Sequence, residues 1–390
     1  MNVLLVSTSE RSGGGAIAAR RLMEALNKNG VKAKMMVRDK QSDAVTVCKV
    51  GNKVPKFLER LSVLPRCGFS RERMWQADIA NIGIDITRTQ EFREADIIHL
   101  HWVCQGMLSL DGIERIMKSG KRIIWTLHDE WPYLGVCHYR GDCIESECRH
   151  CPILCGSLPF SIYKRKQSLY QRWHPIFVGC SQWITGQARR AMPSERVEHI
   201  NNCIPSALFH PTDMQQARQV LSLPQDKRLL LFCSQKVTDE RKGIAYLTEA
   251  LQQIPTSELH LVIVGKDAKQ IPLPDNVGIT RIGAVNEQEM PLLYNAVDVF
   301  LTPSLQDNLP NTLAEAMSCG TPCVGFDVGG IPEMIDHLEN GYVARYRDAS
   351  DLAAGIHFVL DHNLREAAHN KAADSYGETH VAQKYIKLFS

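Results

Sequence analysis

Residues 303 to 332 read PSLQDNLPNTLAEAMSCGTPCVGFDVGGIP. They follow Val297-Asp298-Val299-Phe300-Leu301, an apolar run that reads as a buried strand. A polar turn comes next, then a short helix, then Gly320-Thr321-Pro322 and a second strand running to Gly329-Gly330. Two acids stand in this unit, Asp307 in the loop and Glu315 on the helix. A helix opening behind such a loop offers unbonded backbone N–H groups and the positive end of its dipole, which suits a phosphate. Carboxylates accept hydrogen bonds from hydroxyls. The stretch is therefore a candidate site for an anionic ligand rich in hydroxyls.

Working outward, 390 residues exceed one ordinary core, so two domains with a cleft between them are expected. The apolar fraction of 44% and the charged fraction of 23% are those of a globular chain, and a net charge of +2 gives no global pull toward nucleic acid. The apolar run in MNVLLVSTS is short and no basic segment precedes it, so no signal peptide is expected. Nowhere do about 18 apolar residues run together, so no membrane-spanning helix is expected either. Thirteen scattered cysteines fit a reducing cytoplasm better than a disulfide framework.

In the first half, Asn2 to Thr8 reads as a strand, Gly13-Gly14-Gly15 as a turn, and AIAARRLMEALNKNG as a helix, with VKAKMMV as the next strand. This is the βαβ unit of an open parallel sheet. The glycines suit either a tight turn or close approach of a ligand, and they lack the spaced dinucleotide fingerprint. Further strands at Ala95 to Leu100 and Arg122 to Leu127 lead into HLHW at 99–102 and HDEW at 128–131. Ligands of open α/β sheets gather at the carboxyl ends of strands, which makes His128 and Asp129 better candidates than polar residues elsewhere. A histidine satisfied by a nearby carbonyl is the plainer alternative.

The irregular run GVCHYRGDCIESECRHCPILC follows. Cys137, Cys143, Cys148 and Cys151 contain one C-x-x-C pair and resemble a structural zinc site, with Cys155, His138 and His150 as alternative ligands. A loop of reduced thiols is the other reading. The run lacks the helix and dense basic face of a nucleic-acid module. Two basic stretches with interleaved aromatics, Lys53 to Arg73 and YKRKQSLYQRW at 163–173, suit either a solvated helix face or peripheral contact with an anionic membrane.

The hinge is expected near 203–215, where proline and polar residues replace periodicity. A second α/β series starts at Arg228 to Cys233 and runs through a helix at Gly243 to Gln253, strands at Leu259 to Gly265 and Val277 to Ile282, and a helix at Glu287 to Ala296. The expected fold class is thus α/β, two doubly wound domains facing across a cleft. Lys236, Arg241 and Lys242 follow the 228–233 strand, at the same sheet edge as Pro303 to Pro332. Cations there would neutralise a departing diphosphate without a bound divalent metal.

The order strand, PS, acid, EAM, G-x-P, strand, GG resembles the nucleotide-binding signature of glycosyltransferase family 4, a retaining family of the two-domain GT-B fold built from Rossmann-like domains. The resemblance extends to the glycines at 13–15, His128-Asp129, Ser181, Asn202 and the Lys242-Gly243 pair. DNLPNT, TLHDEWP and the cysteine-rich loop resemble a bacterial subgroup of surface-polysaccharide assembly. The resemblance implies a first, acceptor-side domain over 1–205, a nucleotide-sugar domain over 206–374, and a C-terminal helix near 375–390 packed back on the first. It implies a nucleoside diphosphate sugar as donor, a glycan or lipid-linked glycan as acceptor, and no cofactor in catalysis. Glu315 would hold the ribose hydroxyls and Asp307 the donor sugar, with Asn308, Leu309, Pro310 and Asn311 approaching sugar and phosphate. Lys242, with Lys236 or Arg241, would stabilise the leaving diphosphate, and Arg281 and Ile282 would lie near the base. Gly14 and Gly15 would approach the phosphates and acceptor, and His128 the donor sugar after domain closure. The sequence departs from the family pattern at Asp307, usually glutamate, at Asn308-Leu309-Pro310, usually glycine-rich, and in the family's phosphate-binding arginine, which has no clean counterpart. A sugar-nucleotide epimerase or a catalytically silent nucleotide-sugar-binding protein on the same architecture are the alternatives.

Overall fold

The computed structural model describes residues 1–143, 147–255, 257–274 and 277–390. The chain forms two compact units, Met1–Cys203 together with Val381–Ser390, and Ile204–His380.

The first unit is built on seven strands: β1 (Asn2–Ser9), β2 (Lys32–Asp39), β3 (Val47–Lys49), β4 (Ile97–Leu100), β5 (Arg122–Leu127), β6 (Ile176–Gly179) and β7 (Val197–His199). Every pairing is parallel, in the order β3-β2-β1-β4-β5-β6-β7. Crossover helices cover both faces of a parallel sheet, so its central strands are apolar almost throughout. In β1, Val3 and Leu5 enter a core with Ala19, Leu22 and Leu26 of the helix Gly14–Lys28. Leu4 and Val6 point the other way, into a core with Ile98, Ile113 and Ile116. That period-two split makes a run of consecutive hydrophobics compatible with a strand. The C-terminal helix Glu378–Phe389 joins the first of these cores through Val381, Tyr385, Leu388 and Phe389, and the Tyr385 hydroxyl shares a hydrogen bond of 2.9 Å with Thr126 Oγ1.

The second unit has β8 (Arg228–Lys236), β9 (Leu259–Lys266), β10 (Gly278–Ile282), β11 (Val299–Thr302), β12 (Cys323–Phe326) and β13 (Gly341–Ala344), again all parallel. The order β10-β9-β8-β11-β12-β13 reverses direction between β8 and β11, and that reversal opens the crevice where such sheets bind ligands.

Several boundaries differ from the sequence reading. β8 continues through a register shift between Cys233 and Lys236, so Lys236 lies on the strand, opposite Lys266, rather than in the following loop. β12 stops at Phe326, and Gly329-Gly330 form the turn into the short helix Ile331–Met334. The expected helix at 287–296 begins only at Met290, where Pro291 sits in its first turn. The second basic stretch exposes Lys164, Arg165 and Arg172 but not all of its cations. Lys166 is buried, donating from Nζ to the carbonyls of Trp131, Leu134 and Gly135 at 2.6, 3.0 and 3.0 Å. Its neighbour Arg165 pairs with Asp111 and Glu114. No helix among the described residues is long and apolar enough to cross a membrane.

Candidate functional site

The loop 303–310 leaves β11 at the carboxyl edge of the second sheet and is gripped from two sides. Gly243, with φ of 70°, lies so close that a Cβ there would stand 1.8 Å from the Pro303 carbonyl oxygen. Gly329, with φ of 61°, lies under the other end, where a Cβ would stand 1.7 Å from the Asp307 oxygen. Only glycine combines a left-handed backbone with such an approach. The Leu305 N–H donates to the Arg241 carbonyl at 2.7 Å, tying the loop to the turn after β8. In this frame Lys242 Nζ meets Asp307 Oδ2 at 2.6 Å.

The loop then runs inward through Asn308, Leu309 and Pro310, all buried, to the helix Asn311–Ser318, whose N-terminus no side chain caps. One turn on, the buried Glu315 accepts a hydrogen bond of 2.9 Å from the Tyr294 hydroxyl. Desolvation together with the Glu315 charge pushes the Cys233 thiol up to about 12 and the Tyr294 phenol well above its ordinary range. Both groups therefore stay protonated and neutral beside the carboxylate.

The remaining residues assigned to the donor are placed differently. The Arg241 guanidinium is exposed and paired with Asp239 at 2.7 Å, and Lys236 is exposed at the end of β8. Arg281 braces a turn, donating to the carbonyls of Ala268 and Ile271, each at 3.2 Å. Ile282 is half-buried at the end of β10.

In the first unit the structure brings Gly15 against His128. A Cβ on Gly15 would stand 2.9 Å from the imidazole Cγ, so the start of the helix Gly14–Lys28 lies on the ring. His128 Nε2 and His101 Nδ1 share a hydrogen bond of 2.9 Å. His99 bonds Thr126 at 2.8 Å, and its ring lies 4.2 Å from that of His101. Burial drives His99 down to about 3 and His128 down to about 4, and holds His101 well below the ordinary imidazole range. Asp129 is engaged locally, accepting from Trp102 Nε1 at 2.7 Å and bonded to His138 Nδ1 at 2.8 Å. Sequence reading missed His101 and Tyr294 as partners of His128 and Glu315, and it missed the grip of Gly329 on the loop. The HLH spacing of 99–101 was the one available signal, since alternate strand residues share a face.

Cys137 is buried and forms an isolated antiparallel bridge with Ala77, Cys148 is buried, and Cys143 and Cys151 are half-buried. All four are free thiols.

These two sheets are those of the GT-B glycosyltransferase fold. Sucrose-phosphate synthase from Thermosynechococcus elongatus matches over 100% of this chain and 98% of its own, with a TM-score of 0.70 at 19% identity. HepE of Anabaena, in complex with UDP-glucose, matches over 100% of this chain and 99% of its own, with a TM-score of 0.65 at 15% identity. Within the second unit, residues 227–362 match the family model of Glycosyl transferases group 1, and that segment holds Lys242, Asp307, Glu315 and both gripping glycines. In sequence, N-acetyl-alpha-D-glucosaminyl L-malate synthase of Bacillus anthracis is 26% identical over 206 residues, 50% of this chain and 53% of its own. The chain spans about half the length of the curated relatives it matches.

Two outcomes are expected. Gly329→Ala should lower the unfolding free energy in urea by about 2 kcal/mol or more, because backbone strain and a forced shift of the Asp307 peptide act together. Gly186→Ala, whose Cβ would meet nothing nearer than 3.9 Å, should be neutral or stabilising. Equal effects of the two would contradict the grip. The buried imidazoles set a pH dependence. Their folded values lie below the ordinary 6.5, so the unfolded chain binds protons that the native chain refuses. Stability is full above that value and falls as pH drops from 6.5 toward 4, by about 1.4 kcal/mol per pH unit for each such imidazole. His99→Asn should flatten that slope; an unchanged slope would contradict it.

Proposed function

We propose that this chain is a retaining glycosyltransferase that moves a hexose-type unit from a nucleoside diphosphate sugar to a glycan or lipid-linked glycan acceptor, in cell-surface polysaccharide synthesis. The observation that carries the reading is the Lys242–Asp307 pair at the carboxyl ends of β8 and β11, within the segment matching Glycosyl transferases group 1.

The donor diphosphate competes for the Lys242 ammonium and takes the backbone N–H groups at the head of the Asn311–Ser318 helix. Asp307, relieved of its cation, accepts hydrogen bonds from sugar hydroxyls. Glu315 takes the ribose diol, oriented by Tyr294. As the bond from the sugar to the diphosphate breaks, negative charge grows on the leaving oxygen, where a fixed ammonium lowers the barrier. The acceptor oxygen attacks from the same face, and its proton passes to the departing phosphate oxygen. Lys242, with Lys236 or Arg241, acts on that charge.

UDP-glucose, the ligand of the Anabaena protein, is the first donor to try, followed by GDP-, ADP- and dTDP-sugars in a thermal-shift panel. A ligand at a hundred times its Kd adds about 2.7 kcal/mol of stability, enough to rank the donors. With the best donor, Lys242→Met should lower kcat about a hundredfold while donor affinity changes less, as expected when an interaction strengthens in the transition state. Glu315→Ala should raise donor KM about tenfold or more. An unchanged kcat in the first variant or an unchanged KM in the second would refute the assigned role.

A lipid-linked acceptor agrees with a surface feature of the first unit. The helices Val54–Val63 and Arg71–Gln76 leave Phe57 67%, Leu61 55%, Phe69 72% and Trp75 49% exposed, among the exposed cations Lys53, Arg66, Arg71 and Arg73. Apolar side chains ringed by cations suit an anionic bilayer surface. The protein should sediment with phosphatidylglycerol vesicles but not with phosphatidylcholine vesicles, and Phe57→Glu with Leu61→Glu should abolish this. Sedimentation unaffected by that double change would remove the surface from the account.

A further inference from the structure

The segment 128–157, between β5 and the helix Leu158–Trp173, has no helix or strand longer than a single bridge among its described residues, yet it carries core side chains. Trp131, Tyr133, Leu134 and Val136 are all buried in the first unit. A loop this long inside a compact domain needs something to close it. The buried Lys166 fastens only the Trp131 to Gly135 end.

The cysteines hold the other end. The Cys137 thiol is hydrogen-bonded to the Cys151 sulfur, and Cys137 and Cys148 each interact electrostatically with Cys143 and Cys151. The Cys151 sulfur accepts the Leu154 N–H at 3.4 Å, and the Ile153 N–H also points to it, so the Cys151-Pro152-Ile153-Leu154 turn wraps its amides around one sulfur. The Cys148 sulfur accepts the Gly135 N–H at 3.2 Å. Gly135 is pinned there, since a Cβ on it would lie 2.4 Å from the Pro159 oxygen and 3.2 Å from the Cys148 Cβ. Backbone amides aimed at sulfur are the partners a metal-bound thiolate requires, since such hydrogen bonds orient the ligand and spread its charge.

We propose that Cys137, Cys143, Cys148 and Cys151 bind one structural zinc ion that closes the 128–157 segment over the first-unit core. Four thiolates complete a tetrahedral shell with no open position, so the ion orders the chain and takes no part in sugar transfer. Among the described residues only Asp78, Cys104 and His138 bring three ligand atoms within 4.8 Å of one another. Binding the ion therefore draws the four sulfurs together, and the thiol protons leave to solvent. The trio is the rival position for a metal, but its Asp78 carboxylate is already taken by Arg60 at 2.6 Å.

The test is metal analysis of the full chain, produced with zinc in the medium and purified without chelator. About one equivalent of zinc is expected, released by a mercurial thiol reagent, and cobalt in its place should give the intense thiolate-to-metal absorption of a tetrahedral sulfur site. Cys143→Ser and Cys151→Ser should lose the ion, and Cys155→Ser should keep it. Less than about a tenth of an equivalent in the unmodified chain would overturn the proposal, as would a Cys137–Cys151 disulfide found by mass in freshly purified protein. Zinc retained in Cys151→Ser but lost in Cys104→Ala would also overturn it, by moving the ion to the trio. If the serine variants fail to fold, the cobalt spectrum of the unmodified chain decides, because its intensity counts sulfur ligands without any substitution.

Discussion

The site depends on the close approach of two glycines to one loop. Gly243 beneath Pro303 and Gly329 beneath Asp307 fix where the carboxylate stands, and only then does the Lys242 ammonium fall 2.6 Å from it. The pair contributes little to stability, because its side chains are 32% and 13% exposed and an ion pair so placed is worth about 1 kcal/mol or less. Two positive-φ glycines and a tethered loop are a large structural commitment for so small a gain. The arrangement is accounted for by what it presents, a cation and an anion at the sheet edge where the strand order reverses.

The two units use similar means at their sheet edges. In the second, the buried Glu315 accepts from the Tyr294 phenol and lies near the Cys233 thiol, and both of those groups keep their protons. In the first, His128 is held by Gly15 on one side and His101 on the other and is kept neutral by burial. In each case a polar group is oriented by a partner that carries no charge, which leaves its own hydrogen-bonding capacity directed rather than neutralised.

Much of this was legible in the sequence, because fully covered parallel strands are apolar in unbroken runs. VLLV of β1, LLLF of β8 and VFL of β11 announce themselves, and their alternation with helices sets the fold class. The strands β3 and β7, three residues each, are too short to show a period, and they and β13 were not read as strands. Side-chain partnerships were the least legible. Tyr294 and Glu315 are 21 residues apart, and His101 and His128 are 27 apart, on different elements, so no local spacing links them. The family resemblance implied Arg281 near the base, and its bonds to the carbonyls of Ala268 and Ile271 belong to a turn that composition cannot position.

The most direct test of the central claim is hydrogen–deuterium exchange followed by mass spectrometry, with and without a saturating nucleoside diphosphate sugar. Slowed exchange concentrated in residues 237–244 and 303–316 is the result the account predicts. Protection confined to other segments, with these two unchanged under saturating donor, would contradict it.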